Sequence, residues 1–176
     1  MQDEQIKTLE ALQLAIQMEI DGKEYYQKAS QESENRLGKE LFQWLAAEED
    51  KHQQKFRDIY EAIKKKKAWA DIDIKLGIGE RAGSLFSRAR EAADPEVKEV
   101  TAELNAISKA MDMENKSHSF YKLHSEKTTC DAEKKFFESL AAEENGHHLA
   151  LIGYREYLID PAGWLRQMEH LSLDGG

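Results

Sequence analysis

The chain has 176 residues, 40% hydrophobic and 34% charged, which suffices for one domain with a buried core and suits long helices with a solvated outer face. Its formal net charge of −9 argues against an electrostatic nucleic-acid binder, because phosphate contacts need clustered Lys and Arg. The single cysteine, Cys130, rules out an internal disulfide framework and fits a reducing cytoplasm, and no apolar run approaches a membrane span.

The opening Met1-Gln2-Asp3-Glu4-Gln5 is polar and lacks the apolar core of a signal peptide. A first helix is predicted from Asp3 to Gln31, with the seam Leu9, Leu12, Ile16, Glu19, Lys23 and Tyr26 at alternating steps of 3 and 4. Ser33-Glu34-Asn35 reads as a turn. A second helix follows from Leu37 to Lys64, with the seam Phe42, Leu45, Glu49, His52, Phe56, Ile59 and Ile63. The run Lys64-Lys65-Lys66-Lys67 is a solvated helix end favoured by the macrodipole.

Residues 65–94 read as a long crossover. Gly77, Gly79 and Gly83 mark loose backbone, and Ser84 can cap a short helix through Ala93. The spacing of Gly77, Gly79 and Gly83 is one residue too long for a nucleotide loop, and no βαβ unit surrounds it. Asp94-Pro95 starts a third helix, which runs to Glu126 with the seam Leu104, Ile107, Met111, Glu114, His118 and Tyr121. Thr128-Thr129-Cys130-Asp131 is a turn. A fourth helix, Ala132 to Ile159, carries the seam Phe137, Leu140, Glu144, His147, Leu151, Tyr154 and Leu158. Asp160-Pro161 stops it, and the tail 160–176 brings Trp164 and Leu165 to the bundle or to a second subunit.

The two halves align without gaps at an offset of 95 residues. Leu9 matches Leu104, Met18 matches Met113, Tyr26 matches Tyr121 and Phe42 matches Phe137. Leu45-Ala46-Ala47-Glu48-Glu49 matches Leu140-Ala141-Ala142-Glu143-Glu144. A helix pair present twice and joined by a crossover makes an all-α, ferritin-like four-helix bundle, here with a short C-terminal tail. The chain thus divides into a helix pair over 3–64, the crossover over 65–94, a second pair over 95–159 and the tail, all in one domain.

Superposing the repeats puts Glu19, Glu49, His52, Glu114, Glu144 and His147 on the inward seams. A Glu and a His three apart share one helix face. A carboxylate on a buried seam must be paired, bound to metal or neutral. A lone Glu-x-x-His arises easily by chance; two copies at one offset, with two further Glu in matched seams, form the ligand pattern of a di-metal carboxylate site. Four carboxylates balance two divalent cations. Oxygen-rich ligation with one imidazole per metal suits iron or manganese, with zinc as an alternative. Tyr26, Tyr121 and His118 are candidate partners of the ligands. Lys23 snorkels outward, Glu48 and Glu143 rotate off the seam toward solvent, and His124, His148 and His170 are expected to be exposed.

On Met18-Glu19, Glu49-x-x-His52, Met113-Glu114 and Glu144-x-x-His147, the chain resembles the rubrerythrin family of the ferritin-like superfamily, over about residues 5–63 and 100–158. The resemblance implies a di-iron centre, reduction of hydrogen peroxide or dioxygen, a role in oxidative-stress defence, and a homodimer. Two departures stand out. Typical members carry a rubredoxin-like domain with four cysteines, which Cys130 alone cannot build, so electrons are expected from a separate donor such as a rubredoxin. Typical members also have a second Glu three residues after the first on the third helix; Ser117 stands there, leaving a simpler, more symmetric site. The alternatives are a ferroxidase serving iron storage or delivery, and a metal-binding bundle without turnover.

Overall fold

The computed structural model describes residues 2–69 and 100–173, with side chains over 6–69 and 100–167. The short helix expected from Ser84 to Ala93, the Asp94-Pro95 start signal and His170 lie outside the described side chains or residues. Among the described residues the helices are α1 (Gln2–Glu32), α2 (Arg36–Lys64), α3 (Val100–Lys127), α4 (Asp131–Ile159) and α5 (Pro161–Leu173), with no strand. None of them is long and apolar enough to cross a membrane. This is the all-helical, paired arrangement expected from the repeat.

The turn between α1 and α2 is built by Asn35. Its Oδ1 accepts from the backbone N–H of Leu37 at 2.9 Å and of Gly38 at 3.3 Å, satisfying two of the first-turn donors that a helix leaves unpaired. Such a cap is worth ~1 kcal/mol. Gly38 is needed there, because a Cβ would collide with the Tyr154 hydroxyl. At the other end of α4, Asp160 both terminates that helix and caps the next: its Oδ1 accepts from the Gly163 N–H at 2.9 Å, and Pro161 occupies the first position of α5. The tail is therefore a helix, and it docks on its own bundle, with Trp164 buried edge-on against Tyr157 at 5.4 Å.

α1 packs closely along α2, and α3 along α4, while the two hairpins meet at greater backbone separation. Large side chains fill the space between them. The apolar core is split in two. One cluster gathers Tyr26, Leu41, Phe42, Leu45, Ile107, Leu151, Tyr154, Tyr157 and Trp164. The other gathers Leu12, Phe56, Ile59, Ile63, Trp69, Tyr121, Phe136, Phe137 and Leu140. Along every one of the four long helices, the residues between these clusters are the seam Glu and His. The bundle thus encloses a charged layer between two apolar ones. Each fully buried Leu or Phe contributes roughly 1.5–3 kcal/mol, so the apolar layers carry the cost of the charged one.

Candidate metal centre

All six seam residues are brought together and buried: Glu19, Glu49, His52, Glu114, Glu144 and His147 are each exposed by 4% or less. Their inward atoms form two overlapping groups. Glu19, Glu49, His52 and Glu144 make one; Glu49, Glu114, Glu144 and His147 make the other; within each, the ligand atoms lie within 4.8 Å of one another. Glu49 and Glu144 belong to both, while Glu19 with His52, and Glu114 with His147, belong to one each. The imidazoles stack across the centre with ring centroids 5.5 Å apart. His52 Nδ1 lies 3.1 Å from Glu144 Oε1 and 3.4 Å from Glu19 Oε2. His147 Nδ1 lies 3.4 Å from Glu114 Oε2.

The outer atoms of these side chains are anchored, and the inner ones are not. Tyr121 on α3 donates to Glu19 Oε1 on α1, and Tyr26 on α1 donates to Glu114 Oε1 on α3. The repeat thus crosses over: each tyrosine holds the other half's glutamate. Burial, and then the carboxylates around them, push both tyrosine pKa values well above the ordinary phenol range, so both hydroxyls stay protonated donors. The opposite atoms, Glu19 Oε2, Glu114 Oε2, Glu144 Oε1 and Nδ1 of both histidines, are buried without a hydrogen-bond partner. An unsatisfied buried polar atom costs about 1–3 kcal/mol. Five of them, divided between the two overlapping groups, fit cations and nothing apolar.

The electrostatics agree. Burial, then the charges of Glu19 and Glu144, raise Glu49 well above the usual carboxylate range. Burial, then Glu114, does the same for Glu144. Burial also works against ionised Glu19 and Glu114. Contact with Glu49 and the His52 charge outweigh it for Glu19, and the His147 charge does so for Glu114; both end below the ordinary value. Without a cation, the two shared glutamates are therefore the ones kept neutral.

Two glutamates depart from expectation. Glu143 is not a solvated neighbour: its Oε2 lies 2.9 Å from His52 Nε2, and Lys55 Nζ approaches at 3.3 Å. Burial works to raise its pKa, but His52 and Lys55 hold it below the ordinary value, so it is a carboxylate. An ionised Glu143 keeps the proton on Nε2 and leaves Nδ1 as the inward ligand atom. Glu48, its counterpart in the first half, is also buried, at 2% exposure, but pairs with Lys51 at 2.6 Å. The reason for this asymmetry is local. Lys51 has Gly146 at its repeat position, so Glu143 has no competing cation one turn along its own helix. His147 instead meets the edge of Trp44, with centroids 5.3 Å apart.

Gly22, one turn after Glu19, makes room for Glu49: a Cβ there would sit 3.3 Å from Glu49 Cδ. Its repeat position is Ser117, the place where the family's extra carboxylate was expected. His118, a candidate partner from its spacing, lines a shallow outer groove of α3 and α4 with Lys122, Glu138 and Asn145, away from the cluster. Lys23 reaches Asp50 on α2 at 2.5 Å. His124 and His148 are half-buried rather than exposed; His124 lies against Phe120 at 4.4 Å.

The sequence profile of the rubrerythrin family matches residues 10–152, which include all six ligand candidates. The chain belongs to the rubrerythrin family. Among solved structures, this rubrerythrin-family bundle is similar to a hypothetical protein from Pyrococcus furiosus, at 26% identity and a TM-score of 0.64, over 86% of this chain and 90% of that one. No curated protein matches it. The rubrerythrin family includes di-iron proteins, and this buried Glu/His cluster offers the ligand atoms that could hold a metal.

Proposed function

We propose that this rubrerythrin-family protein is a non-haem di-iron oxidoreductase that reduces hydrogen peroxide or dioxygen. The observation that carries the reading is the pair of overlapping ligand groups, each of three carboxylates and one imidazole, sharing Glu49 and Glu144. Two divalent ions would match the charge of the set, and its oxygen and imidazole donors suit iron.

When bound, an iron pair would supply two electrons for reduction of the oxidant. The chain's own residues do the rest. Tyr26 and Tyr121 fix one oxygen each of Glu114 and Glu19, which keeps the outer carboxylates in place as charge changes. Among the described residues no tyrosine tethers Glu49 or Glu144, and Gly22 leaves space beside Glu49, so these two side chains would hold the metal with more freedom to move. Glu143 holds the His52 proton on Nε2. The apolar layers on both sides keep bulk water out.

Electrons come in this reading from a donor protein such as a rubredoxin. The working form is a homodimer in the cytoplasm, acting in oxidative-stress defence. The test is anaerobic loading with ferrous iron, then stopped-flow mixing with peroxide and, separately, with dioxygen. Rapid oxidation of two irons per chain by one of these supports the reading. Metal bound without oxidation by either would leave a non-catalytic bundle, and light scattering showing a many-subunit cage would point to iron storage.

A further inference from the structure

Starting from Glu114, rings follow one another toward the C-terminal helix. Tyr26, bonded to Glu114, stacks on Phe42 at 6.2 Å between centroids. Phe42 meets Tyr154 edge-on at 6.2 Å, Tyr154 stacks on Tyr157 at 6.2 Å, and Tyr157 meets Trp164 of α5 at 5.4 Å. Four of these five rings can lose an electron. Tyr154 also has a proton acceptor: its hydroxyl donates to Glu103 Oε2 at 3.0 Å. Glu103 is a buried carboxylate with no part in the metal centre, and Ser33 donates to its other oxygen.

The repeat supplies an internal comparison. Trp164 stands 95 residues after Trp69, and Tyr121 reaches Trp69 through Phe137, at 6.1 and 6.2 Å. The positions matching Tyr154 and Tyr157 are Ile59 and Ala62. Trp69 Nε1 is buried with no hydrogen-bond partner, so an oxidised Trp69 has nowhere to place its proton. Both arms begin with a tyrosine bonded to a glutamate of the centre; beyond that first ring, among the described residues, only the arm through Tyr154 pairs an oxidisable ring with a base.

We propose that Tyr26, Phe42, Tyr154, Tyr157 and Trp164 form an escape route through which the oxidised centre draws electrons from α5 when no donor protein supplies them. The inference rests on the peroxide-reducing function proposed above. In each pass, Tyr26 gives one electron to the centre, its proton shifting along the hydrogen bond to Glu114 Oε1 and returning when Tyr26 is refilled. Tyr154 refills Tyr26, with its own proton moving to Glu103 Oε2 and back as Tyr157 refills it; Tyr157 in turn releases a proton and regains it when Trp164 refills it. Two passes oxidise Trp164 by two electrons; water adds to the indole and two protons leave to solvent. One hydrogen peroxide takes up those two electrons and two protons to become two waters. The net change is Trp164 plus peroxide giving hydroxylated Trp164 plus water. Tyrosine and tryptophan yield electrons only to a strong oxidant, so the route stays idle while a donor keeps the centre reduced. It carries damage away from the ligands to Trp164 of α5, outside the charged layer.

The test loads the whole chain anaerobically with ferrous iron, then adds excess peroxide without donor in heavy-oxygen water, and maps the products by peptide mass spectrometry. Iron oxidation is followed separately by absorbance. Trp164 is expected to gain one oxygen atom, and that atom comes from the labelled water. In Tyr154→Phe the Trp164 mark falls to the background at Trp69, with iron content unchanged. Should that variant fold poorly, Trp164→Phe serves instead: the oxidation then stops at Tyr157 and does not move to Trp69. Iron oxidised with Trp164 unmarked, with marks only on Trp44 or Trp69, or with oxygen derived from peroxide, overturns the escape route alone. Iron that peroxide does not oxidise overturns both the route and the function beneath it.

Discussion

Glu143 on α4 lies 2.9 Å from His52 on α2, a contact between residues 91 apart in sequence. It turns one ligand's ring and sets its tautomer, and its repeat counterpart Glu48 does not do the same. Outer partners of this kind typically contribute 10–100-fold to metal affinity. Glu143→Ala is therefore expected to weaken metal binding by about 10–100-fold. Glu48→Ala should leave it close to wild type, because Glu48 pairs with Lys51. Chelator competition measures both; equal losses would mean that the asymmetry between the two histidines has no energetic weight.

The sharing of Glu49 and Glu144 separates two classes of ligand variant. Glu49→Ala with Glu144→Ala removes a ligand from both groups and should abolish binding of both ions. Glu19→Ala and Glu114→Ala each strip one group and should leave about one ion per chain. Elemental analysis after reconstitution decides this. Loss of both ions in Glu19→Ala would show that the two groups do not fill independently.

Gly22→Ala sets two effects against each other. An alanine in a helix interior is favoured over glycine by about 0.5–1 kcal/mol. The new Cβ would sit 3.3 Å from Glu49 Cδ, tight enough to push that side chain aside. The apo form should therefore melt at or above wild type, while metal affinity falls. Calorimetry and metal titration on the same sample check the two signs independently. A variant that binds metal as tightly as wild type would show that Glu49 needs no room on that side.

Stability should respond to pH in opposite ways with and without metal. Glu49 and Glu144 have raised pKa values in the folded apo form. Their contribution is fully present below the unfolded value of about 4.3 and is lost as pH rises through the folded value. For His52, burial works to lower the pKa, but Glu19, Glu143 and Glu144 raise it well above the ordinary value. Its contribution is likewise present below about 6.5 and lost at higher pH. Glu19 and Glu114, with lowered values, act the other way and lose their contribution only as pH falls below the ordinary carboxylate range. From mildly acid to alkaline pH, the apo bundle should thus lose stability.

Bound metal holds all four carboxylates ionised, so acid must displace it and the holo trend reverses. Free metal at a thousand times its dissociation constant adds about 4 kcal/mol, or roughly 8–16 °C in a chain of this size. Melting temperature against pH, with and without metal, reads the gap, which should narrow on acidification. A constant gap would mean that the glutamates do not titrate as a buried cluster.

What the sequence by itself determined is the part governed by period and repetition. The alternating steps of 3 and 4 define four helices to within a residue or two wherever both ends are described, because a helix must bury one stripe. The offset of 95 residues placed Glu19, Glu49, His52, Glu114, Glu144 and His147 in one layer, because two equal hairpins pack only with their seams facing. Which glutamates are shared, and how the outer atoms are held, depended on the tertiary structure alone. The crossed bonds of Tyr26 and Tyr121 join different hairpins, and no spacing along one helix encodes such a contact. Glu48 and Glu143 sit off the seam by helical period, so sequence placed both in solvent. The packing of the two hairpins covered Glu48 fully and Glu143 in part, and the choice between Lys51 and Gly146 one turn away decided that Glu143 and not Glu48 reaches a histidine.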